Sequence, residues 1–184
     1  MNTVNAIAVS SPAILAKNRA ALYTTADEFC TIFNREMQSF FSLALVLTGD
    51  EAKAQKSFLG GLAKCRKATT VFKDWARSYA RLAVIESAVD LLAPTTGKKV
   101  FSTASVSKDA SCPELDLVLR LDVFERFVFV LTVLERFTVQ DCAIVLKCRQ
   151  QDVEQARVRA FDSIAANEGQ EFTPAQTMEH RLAS

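Results

Sequence analysis

Apolar residues recur at intervals of three and four positions along most of this chain, the spacing that places side chains on one face of an α-helix. In the first half, the pattern predicts helices over residues 25–47, 51–65 and 73–92. Thr25 and Glu28 have the spacing of a capping box at the start of the first helix. Gly49 predicts the end of that helix, and Asp50 predicts the cap of the next. No alternating strand-like run is found, so the pattern predicts an all-α fold.

The third predicted helix combines an apolar face with a row of positive charge. Trp75 is expected in the core because tryptophan is highly buried on average, and Leu59 of the second helix is expected to be buried as well. Lys73, Arg77 and Arg81 recur every four residues and would form a basic ridge. Such a ridge is either a solvated face or a contact for nucleic acid, and the spacing leaves both interpretations open.

The helical pattern is interrupted in the middle of the chain. Pro94 and Gly97 stop the third helix, and the segment that follows is rich in Ser, Thr and Lys, which is typical of a linker. The sequence therefore predicts two small helical domains joined by a flexible linker. The predicted parts are an N-terminal arm at 1–24, a first domain at 25–92, a linker at 93–113, a second domain at 114–165 and a polar tail at 166–184.

The second half begins with a helix that is apolar on almost every side. Asp122 and Glu125 have capping-box spacing at its start. Its predicted core stripe comprises Phe124, Phe127, Val128, Leu131 and Leu134. Because Phe129, Val130 and Val133 make the remaining faces apolar too, this helix is predicted either to be central or to face a partner.

Residues 138–164 have the pattern of a helix-turn-helix. Thr138 is a suitable N-cap with Asp141 three residues later, and a tight turn is predicted at Lys147 and Cys148. The second helix has one apolar stripe, formed by Val153, Ala156, Ala160 and Ile164. In this motif the second helix can lie in the major groove of DNA.

The outer face of that second helix is polar, and its candidate DNA-reading residues are Arg149, Gln150, Gln151, Glu154, Gln155 and Arg159. Gln can pair bidentately with adenine, Arg pairs with guanine, and Glu accepts a hydrogen bond from cytosine. A solvated amphipathic helix would have the same pattern, so both interpretations stay open. Basic and acidic residues are balanced here, and the module by itself is expected to bind DNA weakly because phosphate neutralisation drives non-specific affinity.

Composition and charge argue against several classes of protein, among them strongly basic nucleic-acid-binding proteins, zinc proteins and enzymes. The chain has 184 residues and a net charge of +1, so it lacks the global basic charge typical of many nucleic-acid-binding proteins. Its five cysteines form no CxxC pair, and its single histidine is His180, which argues against a zinc site and a Cys–His catalytic pair. There is no Gly-rich phosphate loop, so we expect neither an enzyme nor a cofactor. We expect a reduced, cytoplasmic protein without a signal peptide or membrane span.

Several of these segments together resemble the small two-domain bacterial sigma factors of the extracytoplasmic-function group. In the second half, the similar residues are RFVFVL at 126–131, LERFT at 134–138, DCA at 141–143, Leu146, Val153, Arg159 and Ala160. In the first half they are LVLTGDEAKA at 45–54 and Phe72, Trp75, Ala80 and Arg81. The resemblance covers residues 26–92 and 115–164, in the order of the family's region 2 and region 4.

The resemblance implies a function. Sigma factors bind core RNA polymerase and perform no chemistry of their own. Their first domain melts promoter DNA and their second reads the upstream promoter element. By position, the six polar residues of the second helix would be readers of that element or phosphate contacts. Lys73, Trp75, Arg77 and Arg81 would lie near the melted strand, with Trp75 at a position that is often structural. An anti-sigma protein is a further candidate partner.

Two alternatives stay open. The chain departs from the family pattern on the helix that binds the polymerase clamp, at Gln55, Lys56, Leu59 and Gly60. One alternative is therefore a degenerate sigma-like interaction protein that sequesters an anti-sigma protein or another regulator without initiating transcription, and the apolar helix of the second half suits that role. The other is a stand-alone DNA-binding protein of the response-regulator type, which would have to dimerise on a palindromic site.

Overall fold

The computed structural model describes residues 22–95 and 113–171. It divides the chain into two compact units, Met1–Leu92 and Ala93–Ser184. In the described residues every regular element is a helix, and the one pairing of extended backbone is an isolated antiparallel bridge between Tyr23 and Phe72. The all-α prediction is confirmed. None of the helices in these two ranges combines the length and the apolar character needed to cross a bilayer.

The described part of the first unit contains four α-helices and a 3-10 turn. They are α1 (Ala26–Arg35), α2 (Met37–Thr48), α3 (Glu51–Lys67), the 3-10 turn Lys73–Trp75, and α4 (Ala76–Leu92). The single helix predicted over residues 25–47 is interrupted at Glu36, whose ψ of 11° leaves the helical region. The apolar pattern runs through the break because both helices face one core: Phe33 of α1 packs edge-on against Phe40 of α2, with 5.2 Å between ring centroids.

The predicted helix ends in this unit are confirmed. Thr25 Oγ1 accepts a hydrogen bond from Glu28 N at 3.2 Å, and Glu28 Oε2 accepts one from Thr25 N at 2.8 Å, which completes the capping box. Gly49 ends α2 with a left-handed φ of 65°. Asp50 caps α3 by accepting a hydrogen bond from Lys53 N at 2.8 Å.

Helices α3 and α4 pack closely against each other at Gly61. The face of α3 that is buried carries only small side chains, those of Ala54, Ser57, Gly61 and Cys65. A Cβ atom on Gly61 would lie 2.9 Å from the backbone of Val84 in α4, so glycine is needed for this approach. The prediction that Leu59 is buried is wrong, because its position falls between those of Ser57 and Gly61 and points away from the buried stripe.

The described part of the second unit again contains four α-helices. They are α5 (Pro113–Leu119), α6 (Val123–Phe129) continued by a π-helical turn Val130–Leu134, α7 (Val139–Leu146) and α8 (Gln150–Glu171). The predicted capping box at the start of α6 is wrong, since Asp122 makes no capping hydrogen bond with its side chain. The Glu125 carboxylate instead forms an ion pair with Arg159 of α8.

The π-helical turn changes which residues at the end of α6 face inward. Val130 and Leu131 are fully buried, whereas Val133 and Leu134 are exposed. Wider winding in a π-turn shifts the register that the 3.6-residue repeat predicts, so the placement of Leu134 in the core is wrong. The apolar helix is thus central in its unit up to Leu131 and exposed beyond it.

A buried arginine connects α5 to α6. Arg126 is fully buried, and its Nη1 donates a hydrogen bond to the Leu119 carbonyl oxygen at 3.1 Å. Burial lowers the pKa of this guanidinium to about 10, so it stays charged at neutral pH. The carbonyl belongs to the last residue of α5, where helical hydrogen bonding leaves acceptors without a partner.

The predicted arm, linker and tail fall only partly within the described residues. The end of the arm joins the first unit, where Thr24 N donates to the Val71 carbonyl oxygen at 2.8 Å. The third predicted helix ends at Leu92, as expected. Helix α8 continues past its predicted end at Ala165 to Glu171. The remaining parts, 1–21, 96–112 and 172–184, lie outside the described residues.

Candidate nucleic-acid interface

The helix-turn-helix predicted in the second unit is present as α7, a turn at residues 147–149 and α8. Thr138 caps α7, since its Oγ1 accepts a hydrogen bond from Asp141 N at 3.1 Å. Lys147 has a left-handed φ of 55°, and Cys148 N donates to the Ala143 carbonyl oxygen at 3.0 Å, which ends α7 in the manner of a helix C-cap. The predicted turn at Lys147 and Cys148 is confirmed.

The rotation of α8 is set by its buried stripe. Val153, Ala156 and Ala160 are fully buried, as predicted. Cys142 of α7 is fully buried too, and burial raises the pKa of its thiol to about 12, so it stays neutral and acts as an apolar packing residue. Because one side of α8 is fixed inward, its opposite side faces solvent.

Four of the six predicted reading residues lie on that solvent side. They are Gln150, Gln151, Glu154 and Gln155, and all four are exposed. Among residues 22–95 and 113–171, none of these side chains has a hydrogen-bond or ion-pair partner. They occupy the first turns of α8, where recognition helices contact base edges.

Arg149, the residue before α8, is exposed but held in place. Its Nε donates to Asp152 Oδ2 and its Nη2 to Asp152 Oδ1, both at 3.1 Å. Its backbone N also donates to Asp152 Oδ2, at 3.2 Å. These hydrogen bonds hold the pKa of the Asp152 carboxyl below its usual range and raise the pKa of Arg149. The carboxylate is therefore ionised at neutral pH.

Arg159 is exposed like the other predicted readers, but it is paired with a residue of another helix. Its Nε donates to Glu125 Oε1 of α6 at 2.7 Å. The side chain of Arg159 is 46% exposed and that of Glu125 only 12%. The ion pair connects α8 to α6, so Arg159 has a structural role that its sequence position did not predict.

In the first unit, the predicted basic ridge is cross-linked to the helices beside it. Each of its three cations contacts a polar side chain of α1, of α2 or of the junction between them. These contacts, here called the charge ladder, are Lys73 Nζ to Glu28 Oε1 at 2.6 Å, Arg77 Nη2 to Glu36 Oε2 at 2.8 Å, and Arg81 Nη1 to Ser39 Oγ at 3.0 Å. The hydrogen bond from Lys73 lowers the pKa of Glu28, and the hydrogen bond from Arg77 lowers the pKa of Glu36. The ladder reduces the positive charge that the ridge offers to phosphates.

The prediction that Trp75 lies in the core is wrong, because its side chain is on the surface. It is 68% exposed. Trp75 ends the 3-10 turn, and α4 begins at Ala76, which is the residue that takes the buried position. Trp75 precedes Tyr79 by four residues, and Tyr79 is exposed as well, so this side of α4 and of the turn before it faces solvent.

Two aromatic residues beside Trp75 were not predicted as part of a site. Phe72 packs edge-on against Trp75, with ring centroids 5.8 Å apart, and Tyr23 packs against Phe72 at 4.9 Å. We call these three rings the aromatic surface. Phe72 is 42% exposed and continues the exposed face of Trp75. Phe72 and Trp75 are close in sequence, but the predicted helix began between them and gave no signal that both rings would be exposed. The bridge between Tyr23 and Phe72 is a long-range contact that no local pattern reveals.

Comparison with protein-family models, with curated proteins and with solved structures finds no match for this chain. Within the ranges that the structure describes, no three His, Cys, Asp or Glu side chains group as metal ligands would. Any functional assignment therefore depends on the two surfaces above, the outer face of α8 and the aromatic surface.

Proposed function

We propose that this protein is a sigma-like transcription initiation factor that directs core RNA polymerase to promoter DNA. The observation that carries the proposal is the start of α8, where Gln150, Gln151, Glu154 and Gln155 are all exposed and lack partners in the described residues. Side chains of this kind read base edges in the major groove. If this face of α8 were only solvated, these four side chains would have no binding role. Their grouping at the start of the second helix of a helix-turn-helix favours the interpretation that they contact DNA.

The aromatic surface of the first unit supports the same proposal. An exposed indole beside an exposed phenyl ring offers a stacking face for unpaired bases, and such stacking contributes about 1–3 kcal/mol per base. Trp75 would therefore contact the melted strand. Lys73, Arg77 and Arg81 would position that surface through the charge ladder and add a modest attraction for phosphates.

A transcription assay reconstituted with core RNA polymerase tests the proposal. The full chain should produce promoter-specific transcripts, and the variant Q150A/Q151A/Q155A should lose promoter selection while still binding polymerase, because these side chains are exposed and their loss leaves the core intact. The matched control is Ala165→Ser, a change at an exposed position later in α8. Failure of the full chain to bind polymerase in a pull-down would overturn the proposal.

A second candidate is an interaction protein that binds an anti-sigma protein without initiating transcription. It is favoured by the exposed apolar side chains of the second unit, Leu134, Ile144, Val158 and Phe161. Exposed apolar residues of this size suit a protein contact better than a DNA contact. In the same assay this candidate predicts no transcripts, together with co-purification of a protein partner that is unaffected by added DNA.

A further inference from the structure

The arrangement of Arg149 and Asp152 goes beyond a simple ion pair, because it fixes the direction of a guanidinium group. Two nitrogens of Arg149, Nε and Nη2, donate to the two oxygens of Asp152. This bidentate geometry is the most directional contact that an arginine makes with a carboxylate. The backbone N of Arg149 donates to the same carboxylate, so three hydrogen bonds hold one acidic side chain against one basic one.

The two members of this pair differ in exposure. The side chain of Asp152 is only 15% exposed, whereas that of Arg149 is 80% exposed. The Asp152 carboxylate is thus largely shielded from solvent, whereas the Arg149 guanidinium is accessible to a ligand. A guanidinium has five N–H donors, and this contact uses two of them. The edge formed by Nη1 and the second N–H of Nη2 is not used by Asp152, and it is the edge that can pair with the O6 and N7 atoms of guanine.

We infer that Asp152 is a positioning residue that holds Arg149 for the readout of a guanine at the start of the element bound by α8. The inference rests on the proposed function. Arginine loses considerable side-chain freedom when it binds, and a side chain already held in one orientation loses less. Arg149 immediately precedes Gln150 and Gln151, so the guanine would neighbour bases read by glutamines, which prefer adenine.

Arg159 provides an internal contrast. Its Nε contacts Glu125 of a different helix, and the side chain is about half covered. It also lies far along α8 from the end that enters the groove. Arg159 therefore contributes a phosphate contact or a structural link, and its removal should weaken binding to all DNA sequences alike.

The inference is tested by selecting bound sequences from a pool of duplexes with a randomised segment, using the full chain with core RNA polymerase. The unmodified chain should enrich a guanine next to adenines. Asp152→Asn removes the charge that holds Arg149 but retains an acceptor for the Arg149 backbone N–H, so folding should survive. This variant should lose roughly tenfold in preference for that guanine, as should Arg149→Ala, and the double variant should lose no more than either single one.

Arg159→Gln is the matched control, and it should lower affinity without changing base preference. For Asp152→Asn, the expected result is a loss of base preference at one position only. If Asp152 had only a structural role, the variant would instead alter binding to all sequences equally. The inference alone is overturned if sequences are enriched without a guanine at this position, or if Asp152→Asn changes affinity with base preference intact. If the unmodified chain binds polymerase and enriches no sequence at all, the proposed function fails as well, and that outcome is distinct from the other two.

Discussion

The single tryptophan of this chain lies on a 3-10 turn, and its exposure makes it a natural reporter for the first unit. We predict that Trp75 fluorescence in the folded protein has the long-wavelength emission of an indole in water and is quenched readily by iodide. Because the ring is also the proposed stacking face, single-stranded DNA added with core polymerase should quench it further. Unfolding in denaturant is the control and should move the emission little. Short-wavelength emission that iodide leaves unchanged would contradict the exposed placement.

Also at the level of single residues, the glutamates of the charge ladder make stability depend on pH. Hydrogen bonds from Lys73 and Arg77 depress the pKa values of Glu28 and Glu36 in the folded state. A depressed folded-state pKa means that the stabilisation is complete above the unfolded value of about 4.3 and is lost as the pH falls through the lower folded value.

We therefore predict that Glu36→Gln lowers the melting temperature at pH 7 and that its difference from the unmodified chain shrinks as the pH falls through the depressed folded-state pKa of Glu36, because the protonated carboxyl group no longer attracts Arg77. Circular dichroism melts between pH 7 and pH 3 measure this difference. Asp74→Asn is the control, since Asp74 is exposed and has no ion-pair partner in the described residues. A constant difference at every pH would show that Glu36 acts through packing rather than charge.

At the level of elements, the contact between α3 and α4 depends on one glycine and not on its neighbour. A Cβ on Gly61 would meet backbone atoms of Val84 at 2.9 Å, whereas one on Gly60 would meet only the side chain of Ser87, whose hydroxyl oxygen can rotate away. Alanine favours a helix over glycine by about 1 kcal/mol at either position. Alanine at Gly60 and alanine at Gly61 should therefore gain the same helix propensity, and they differ only in the steric clash that the new Cβ atom makes.

We predict that Gly61→Ala lowers the free energy of unfolding by about 2 kcal/mol, because α3 and α4 must move apart and overpacking outweighs the gain in helix propensity. Gly60→Ala is the matched control and should change stability by less than about 1 kcal/mol. Urea unfolding followed by circular dichroism measures both. Equal effects at the two positions would contradict the close approach at Gly61.

At the level of the whole molecule, charge limits what the protein can do alone. The net charge is +1, and several of its cations are already paired with acidic side chains. We predict that the free chain binds duplex DNA with a dissociation constant on the order of 10⁻⁴ M or weaker, with a salt dependence that corresponds to about three phosphates or fewer. Fluorescence anisotropy across a range of salt concentrations measures this. Tight, steeply salt-dependent binding without polymerase would favour a stand-alone DNA-binding protein instead.

The sequence determined those features that depend on neighbours within a few positions. Thr25 with Glu28, Gly49 with Asp50, and the turn at Lys147 follow local rules of capping and backbone conformation, so the structure agrees with them. The buried stripe of α8 was predictable for the same reason, since a 3.6-residue repeat defines a face without reference to the rest of the fold. These local signals were enough for the helical class and for the exposed glutamines of the candidate site.

Only the tertiary structure decided which charged side chains form ion pairs with other helices and which aromatic side chains are exposed to solvent. The π-turn before Leu134 changed a register that the apolar repeat had predicted, and neither the interruption at Glu36 nor the exposure of Trp75 on its 3-10 turn follows from that repeat. The pairing of Arg159 with Glu125 and of Arg77 with Glu36 joins residues far apart in the chain. The repeat of apolar residues shows which side of a helix prefers to be buried. The residue that packs against a side chain, or forms an ion pair with it, belongs to another helix, and no local sequence pattern reveals that contact.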